Sequence, residues 1–266
     1  MVRTVAAAVV LVAAAFAVAM AVARGREDEG ARCGAGFVVR GPGCVVEIGT
    51  CPPPLVRTPR GCEAPDVQLA FEAVTVTVGP SDWEAEGRVR SRSIHVEPFR
   101  VDAFEVTRGR WSDVRDEDVA RAASGMTRDE AAAFCASRGG RLPTEEEWIV
   151  AASSATNPAR RYPWGDTGAV CRRAAWGLAS GPCARSGGGP DTVGAHRDGD
   201  SPRGLHDMAG NVGEWVAAEP SRPDVGVAKG GSWRSDLAAD LRIWSRLELS
   251  PGARDPRVGF RCAYPP

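Results

Sequence analysis

The chain has 266 residues, with 33 Lys and Arg against 34 Asp and Glu, for a formal net charge of −1. Near-neutrality, with no basic stripe and no interleaving of aromatic and basic residues, argues against a nucleic-acid-binding surface. Eight cysteines contain no Cys-x-x-Cys pair, and His95, His196 and His206 are scattered, so a zinc-finger reading is poorly supported.

Residues 1–23 read as a signal peptide. Arg3 is a short basic start, Val5 to Ala23 is almost wholly apolar, and Ala21-Val22-Ala23 fits a small-x-small cleavage site. The rival reading is an uncleaved anchor, because the run is about the length that spans a bilayer. Either way the rest of the chain is expected to be exported: periplasmic, secreted or membrane-anchored at the N-terminus. Contact with a membrane is expected only if the leader is retained. In an oxidising compartment the cysteines are expected to form disulfides, though eight allow 105 pairings.

Residues 24–66 form a Gly- and Pro-rich segment carrying Cys33, Cys44, Cys51 and Cys62. Such a stretch buries little apolar surface, so its order is expected to depend on two disulfides among these four. It reads as a cross-linked linker or a small binding module. Residues 67–266 are long enough for one good core.

Within that domain, Ala73 to Val78 alternates apolar residues with Thr and stops at Gly79-Pro80, predicting a strand. Ser93 to Val101 predicts a second. Phe104 to Thr107 leads into a predicted turn at Arg108-Gly109. Thr127-Arg128-Asp129-Glu130 is a capping box that opens a helix bearing Ala131, Phe134 and Cys135 on one face and stopping at Gly139-Gly140. Thr144 to Glu147 repeats the device ahead of Trp148 and Ala151-Ala152; these glutamates read as helix-start chemistry rather than catalytic groups. Beyond Tyr162 periodicity fades. Trp164, Trp176, Trp215, Trp233 and Trp244 punctuate a Gly- and Pro-dense region, which predicts loops packed against a small sheet.

Five blocks stand in order: Arg141-Leu142-Pro143-Thr144-Glu145-Glu146-Glu147-Trp148, Tyr162-Pro163-Trp164-Gly165-Asp166, Gly204 to Trp215, Lys229-Gly230-Gly231-Ser232-Trp233, and Gly259-Phe260-Arg261-Cys262. Together they resemble the formylglycine-generating enzyme, or sulfatase-modifying factor, family. The resemblance covers the chain from about Leu69 onward. It implies an α+β, C-type-lectin-like domain with little regular secondary structure, braced by a disulfide between Cys135 and Cys262. Cys171 and Cys183 are then left for each other.

The resemblance also implies a calcium site at Asp207, Gly210, Val212 and Glu214, offering two carboxylates and two carbonyls. The bland reading is a polar turn packed under Trp215. A second calcium site of the family falls near Ala174-Ala175-Trp176, which offers no side-chain oxygen, and is expected to be lost. The family's true oxidases bind copper through two cysteines shortly after the Gly-Gly-Ser block. Here those positions read Ser235 and Asp240, a poor ligand pair for a soft metal, while Ser232, Trp233 and Arg242 keep the look of the pocket wall. Copper is therefore not expected. A further branch binds iron through clustered histidines, which this sequence does not supply.

The expected function is thus a calcium-stabilised binding or accessory protein without formylglycine-generating activity. A groove lined by Trp233, Arg234, Asp236, Asp240, Arg242 and Trp244 would hold an unidentified protein or peptide, sulfatase-like partners included; in the bland reading these are core and rim residues. The alternative is an oxidase that converts a cysteine of a sulfatase-like partner to formylglycine. A serine hydrolase centred on Ser235 is disfavoured, since no Gly-x-Ser-x-Gly elbow or nearby histidine accompanies it.

Overall fold

A computed structural model describes residues 33–40, 43–47, 51–79, 90–112, 114, 118–185 and 189–266. The leader expected at 1–23 lies outside the described residues. Among the described residues no helix is long and apolar enough to cross a membrane.

Two short hairpins come first. Strand β1 (Phe37–Arg40) pairs with β2 (Gly43–Val46), and β3 (Val56–Thr58) pairs with β4 (Gly61–Glu63). The Cys33–Cys44 disulfide ties the first and Cys51–Cys62 the second. Phe37, Leu55 and Ala64 pack in one cluster with Phe104, Val119, Val193 and Val212. The described part of the cysteine-rich segment is therefore seated on the main domain and shares its core.

Four strands follow: β5 (Gln68–Phe71), β6 (Val74–Val78), β7 (Arg92–Val96) and β8 (Phe99–Asp102). Along β6, Val76 and Val78 turn inward and the intervening threonines outward, the period of two expected for a half-buried strand. The strand expected across Ser93 to Val101 is two strands. Glu97-Pro98 separates them, because proline has no N–H for the ladder. This break lets β7 pair with β6 while β8 joins β5 in a different sheet.

Helix α1 (Arg108–Ser112) replaces the turn expected at Arg108-Gly109. The Thr107 hydroxyl accepts from the Arg110 N–H at 3.3 Å, and the Thr107 carbonyl accepts from Trp111 at 2.9 Å. No acidic residue completes a capping box there, so the sequence signal was weak. Helix α2 (Arg128–Ser137) and helix α3 (Glu145–Ala152) begin at the two predicted caps, Thr127 and Thr144, each with a complete capping box. Gly139 ends α2 at φ +75°, a conformation glycine adopts without steric penalty.

The rest is mostly loop. From Ser153 to Val212 the only regular element among the described residues is a 3-10 turn, Arg197–Gly199. Strands β9 (Gly213–Trp215), β10 (Gly226–Lys229), β11 (Arg246–Leu249) and β12 (Val258–Gly259) form a sheet in the order β11-β10-β9-β12, with β12 parallel to β9. The last strand, β13 (Ala263–Tyr264), pairs with β8 on the flank opposite β5. The loops satisfy their backbone groups against one another: Asn211 N–H donates to Ala175, Trp233 N–H to Asn211, Leu178 N–H to Trp233 and Gly177 N–H to Ser235. All eight cysteines are paired; the remaining disulfides are Cys135–Cys262 and Cys171–Cys183. The former ties α2 to the chain end across 127 residues, which contributes about 4–5 kcal/mol in the chain-entropy account.

Candidate functional site

Three polar centres lie on this frame. The first is fully internal. Arg261 and Glu214 are buried and bonded by a guanidinium fork, with Arg261 Nε 2.8 Å and Nη2 2.7 Å from the carboxylate. Trp148 Nε1 donates to the same carboxylate at 2.7 Å, and Arg261 also donates to the carbonyls of Asp102, Ala103 and His206. Every direction of the guanidinium is answered from inside the protein.

The second centre is the turn from Asp207 to Glu214. Asp207, Gly210 and Asn211 all have positive φ, at 55°, 82° and 50°. An alanine-like Cβ at Gly210 would meet the Ala175 carbonyl at 2.5 Å, so this turn requires glycine there. Asp207 accepts from the Gly194 N–H at 2.6 Å. Asn211 accepts from the Asp191 N–H and donates to Glu105 at 2.5 Å, while Val212 N–H donates to Glu105 at 3.1 Å. Burial pushes the Glu105 carboxyl well up, and the charges of Asp207 and Glu214 add to the rise. Burial also raises Asp207. Burial favours the neutral forms of Glu105 and Asp207; ionised, these oxygens are the hard donors that a calcium ion takes. The ligand count is less favourable. Glu214 is already bonded by Arg261 and Trp148, and no three carboxylate, imidazole or thiol atoms gather around this turn among the described residues. Asp207 and the carbonyls of Gly210 and Val212 remain as the oxygen donors of the expected calcium set. Glu214 serves first as the counter-ion of Arg261.

The third centre opens to solvent. Strand β10 runs into Gly230 and Gly231, both left-handed at φ +90° and +71°. A Cβ at Gly231 would meet the Asp240 carbonyl at 3.0 Å and Leu241 at 2.9 Å, so the turn closes tightly on the following loop. Behind it lies a cavity of about 150 Å³, whose polar lining includes Ser232, Ser235, Asp240, Ser245, Arg246 and Arg257. The Ser235 hydroxyl accepts from the Ser232 N–H at 3.1 Å and is hydrogen-bonded to the Asp240 carboxylate. The two positions at which the resemblance implied copper thiolates therefore do face each other, as a hydroxyl and a carboxylate. Burial raises the Asp240 carboxyl, Ser235 offsets part of the rise and Asp236 adds to it.

The groove expected around this loop does not assemble as one surface. Trp233 is a core residue whose Nε1 donates to the Pro256 carbonyl at 3.3 Å. Arg234 and Asp236 are exposed, Asp236 accepting from the Ser180 hydroxyl. Arg242 is half-buried and, like Trp233, lies outside the cavity lining. Trp244 lines a separate cleft of about 480 Å³ with Arg90, Arg92, Glu145, Glu146 and Arg246. The Gly-Gly turn holds Trp233 inward against the loops, and this separates the two walls.

Lys229, Arg246 and Glu105 went unnoticed as site residues. Lys229 is the chain's one lysine, buried at the foot of the cavity, 3.1 Å from Glu145 and over the Trp148 ring. Burial lowers its ammonium to about 8. Its uniqueness was a signal, and so was the acid between Phe104 and Val106. The histidines stand apart. His95 is exposed on β7, His206 stacks on Phe104 and faces Asp200 at 2.8 Å, and His196 faces Asp191 at 2.8 Å. Cys44 lies beside the His196–Asp191 pair, but its sulfur belongs to a disulfide and the Arg185 guanidinium already bonds both Asp191 and that sulfur.

The chain is similar to several known proteins. The family model described as "Sulfatase-modifying factor enzyme 1-like domain" matches residues 62–265. Among curated proteins, the chain is 37% identical over 150 residues to the mouse (Mus musculus) "Inactive C-alpha-formylglycine-generating enzyme 2", covering 51% of this chain and 46% of that protein. It is 35% identical over 225 residues to the "Hercynine oxygenase" of Mycolicibacterium thermoresistibile, covering 75% of this chain and 44% of that one. It is 30% identical over 163 residues to the "Formylglycine-generating enzyme" of Thermomonospora curvata, covering 52% and 54%. The chain thus spans about half the length of the curated relatives it matches. Of solved structures, "Treponema denticola variable protein 1" superposes with a TM-score of 0.62 at 20% identity, over 75% of this chain and 95% of that one. "Structure of PvdO from Pseudomonas aeruginosa" superposes at 0.57 and 18%, over 85% and 99%. These likenesses speak to the fold, the α+β C-type-lectin-like arrangement of few helices, small sheets and long loops. With the family model matched over most of the chain, the protein belongs to the sulfatase-modifying factor family.

Proposed function

We propose that this protein is a binding or accessory member of the family that does not generate formylglycine. One observation carries the reading: the loop after the Gly-Gly turn places a Ser235 hydroxyl against an Asp240 carboxylate, and every cysteine is held in a disulfide. Oxidation of a substrate thiol through copper needs soft thiolate ligands, and this pair offers only hard oxygens. Ser235 is also a poor nucleophile, because its neighbour is a carboxylate and no histidine lines the cavity. The mouse relative, whose name describes an inactive enzyme, supports the same reading.

Export and calcium belong to the proposal. Four disulfides suit an oxidising compartment. Calcium would be held by Asp207 and the carbonyls of Gly210 and Val212, and would favour the charged form of the Asp207 carboxyl that burial otherwise raises. An unfolding midpoint that rises with calcium and falls with chelator is the expected result. A midpoint unmoved by either removes calcium from the reading.

The decisive experiment incubates the purified, copper-loaded protein with a Cys-x-Pro-x-Arg peptide in air and weighs the peptide. An unchanged mass beside an active control enzyme is expected. The competing reading is the oxidase acting on a sulfatase-like partner, which the Thermomonospora relative favours. Copper-dependent conversion of the cysteine to an aldehyde would establish that reading and overturn ours.

A further inference from the structure

The four-stranded sheet ends on β11, and that edge is open. The strand order is β11-β10-β9-β12, so one flank of β11 has no neighbouring strand among the described residues. The register decides which backbone groups face outward. The Val227 carbonyl accepts from the Val216 N–H, so Val227 and, two residues on, Lys229 turn their backbone groups toward β9. Gly226 and Ala228 then turn theirs toward β11, where they meet Leu249 and Leu247. Arg246 and Glu248 are left with N–H and C=O groups that point away from the sheet. Neither makes a further backbone hydrogen bond among the described residues.

The side chains of this edge fit a second copy of the same strand. Arg246, Leu247 and Glu248 are all exposed, so an apolar residue stands between two opposite charges. Antiparallel pairing about a two-fold axis at Leu247 sets Arg246 opposite the partner's Glu248 and Glu248 opposite the partner's Arg246. The outward backbone groups then fall into hydrogen-bonded pairs, and Leu247 meets the partner's Leu247 in the closer, non-hydrogen-bonded pair. An axis at Arg246 or at Glu248 would keep the hydrogen bonds but oppose like charges, which is destabilising. Charges on an exposed edge discourage indiscriminate pairing, and this alternation of sign favours one register. Arg246 lies 3.6 Å from Glu248 and from Glu145, and Glu248 lies 3.1 Å from Arg222. Pairing joins the Arg246–Glu248 contact to its symmetry copy as a ring of alternating charges, and needs neither charge to be free.

We propose that β11 is a self-association edge through which two copies of this chain join their four-stranded sheets into one. Leu247 also lines the Ser235–Asp240 cavity, so the joint sets the cavities of the two copies on one face, flanking the axis. The joint is independent of the proposed loss of oxidase chemistry. A contact of one short strand a side is small, so the dissociation constant is expected between about 10 µM and about 1 mM.

The test is sedimentation velocity of the purified protein from about 5 µM to about 1 mM. A monomer–dimer equilibrium is expected. Leu247→Lys, Glu248→Arg and Arg246→Glu are each expected to weaken it by about tenfold or more, because each sets like charges against each other. An equimolar mixture of Glu248→Arg with Arg246→Glu is expected to associate again, since opposite charges then face each other at both positions. Loss of fold in either variant would not give this rescue. All three side chains are exposed, so the unfolding midpoints of the variants should stay near that of the natural protein. Cross-linking supplies a second measurement. Every native cysteine is paired, so Leu247→Cys adds one free thiol. Mild oxidation should link two such chains about tenfold faster than two Glu248→Cys chains, whose thiols lie off the axis. A monomer at every concentration, a dimer that Leu247→Lys and Glu248→Arg leave intact, or equal cross-linking of the two cysteine variants would overturn the inference.

Discussion

Glu214 and Asp240 are both carboxylates, and the protein treats them in opposite ways. Glu214 is enclosed, with a guanidinium fork and an indole N–H bonded to it. Asp240 stands in an open cavity with one hydroxyl for company. In the first region each polar group finds its partner inside the chain, so the arrangement can hold the fold but has nothing left for a ligand. In the second the carboxylate has a hydroxyl but no cation beside it among the described residues. That difference makes the base a fold-holding centre, and the proposed binding role falls to the loop.

The sharpest way to break the base is to remove its long-range tie. Replacing Cys135 and Cys262 together by alanine is expected to lower stability by about 4–5 kcal/mol, read from denaturant midpoints, while replacing Cys51 and Cys62 should lower it by about 3 kcal/mol, because the second loop spans 11 residues and the first 127. Arg261→Met comes next, at about 3–5 kcal/mol, since it strands a buried Glu214. A loss below 1 kcal/mol would mean that the pair is far more hydrated than its burial indicates.

Lys229 gives the comparison a pH axis. Its ammonium titrates at about 8 in the folded chain against an ordinary 10.5. Between those values the unfolded chain binds more protons than the folded one, so stability should rise with pH across the window, by about 3 kcal/mol when complete. Thermal unfolding from pH 7 to 9.5 should show this slope in the natural protein and a flatter one in Lys229→Met. Equal slopes would place the titration elsewhere. The smallest effect belongs to the loop: Asp240→Asn should change stability by less than about 0.5 kcal/mol, because the residue is half-exposed and an amide oxygen can still accept from Ser235. A large loss there would make Asp240 a structural residue and erase the contrast with Glu214.

Much of the frame could be read directly. The boxes Thr127–Glu130 and Thr144–Glu147 are local chemistry, complete within four residues, and both helices begin where they lie. Strand β6 was legible for the same reason. Helix α1 was not, because Thr107 caps it without a reciprocal acid, and the break at Glu97-Pro98 was passed over although proline marked it. In the site, Ser235 and Asp240 were found by their place after the Gly-Gly-Ser block. Their contact with each other depends on how the 3-10 turn Ala238–Leu241 folds back on Gly231. Trp233 looked like a wall residue and proved to be core, since side-chain direction in an irregular loop follows from packing rather than period.

The sequence by itself determined the family frame, the even cysteine count, the helix starts and the absence of cysteine between Gly230 and Arg261, because each is written in residue type at fixed spacing. Only the tertiary structure decided which charges find partners. Glu214 meets Arg261 across 47 residues, Lys229 meets Glu145 across 84, and Asp240 meets no cation among the described residues. Ion pairing depends on distance and burial in space, and neither is fixed until the loops have packed.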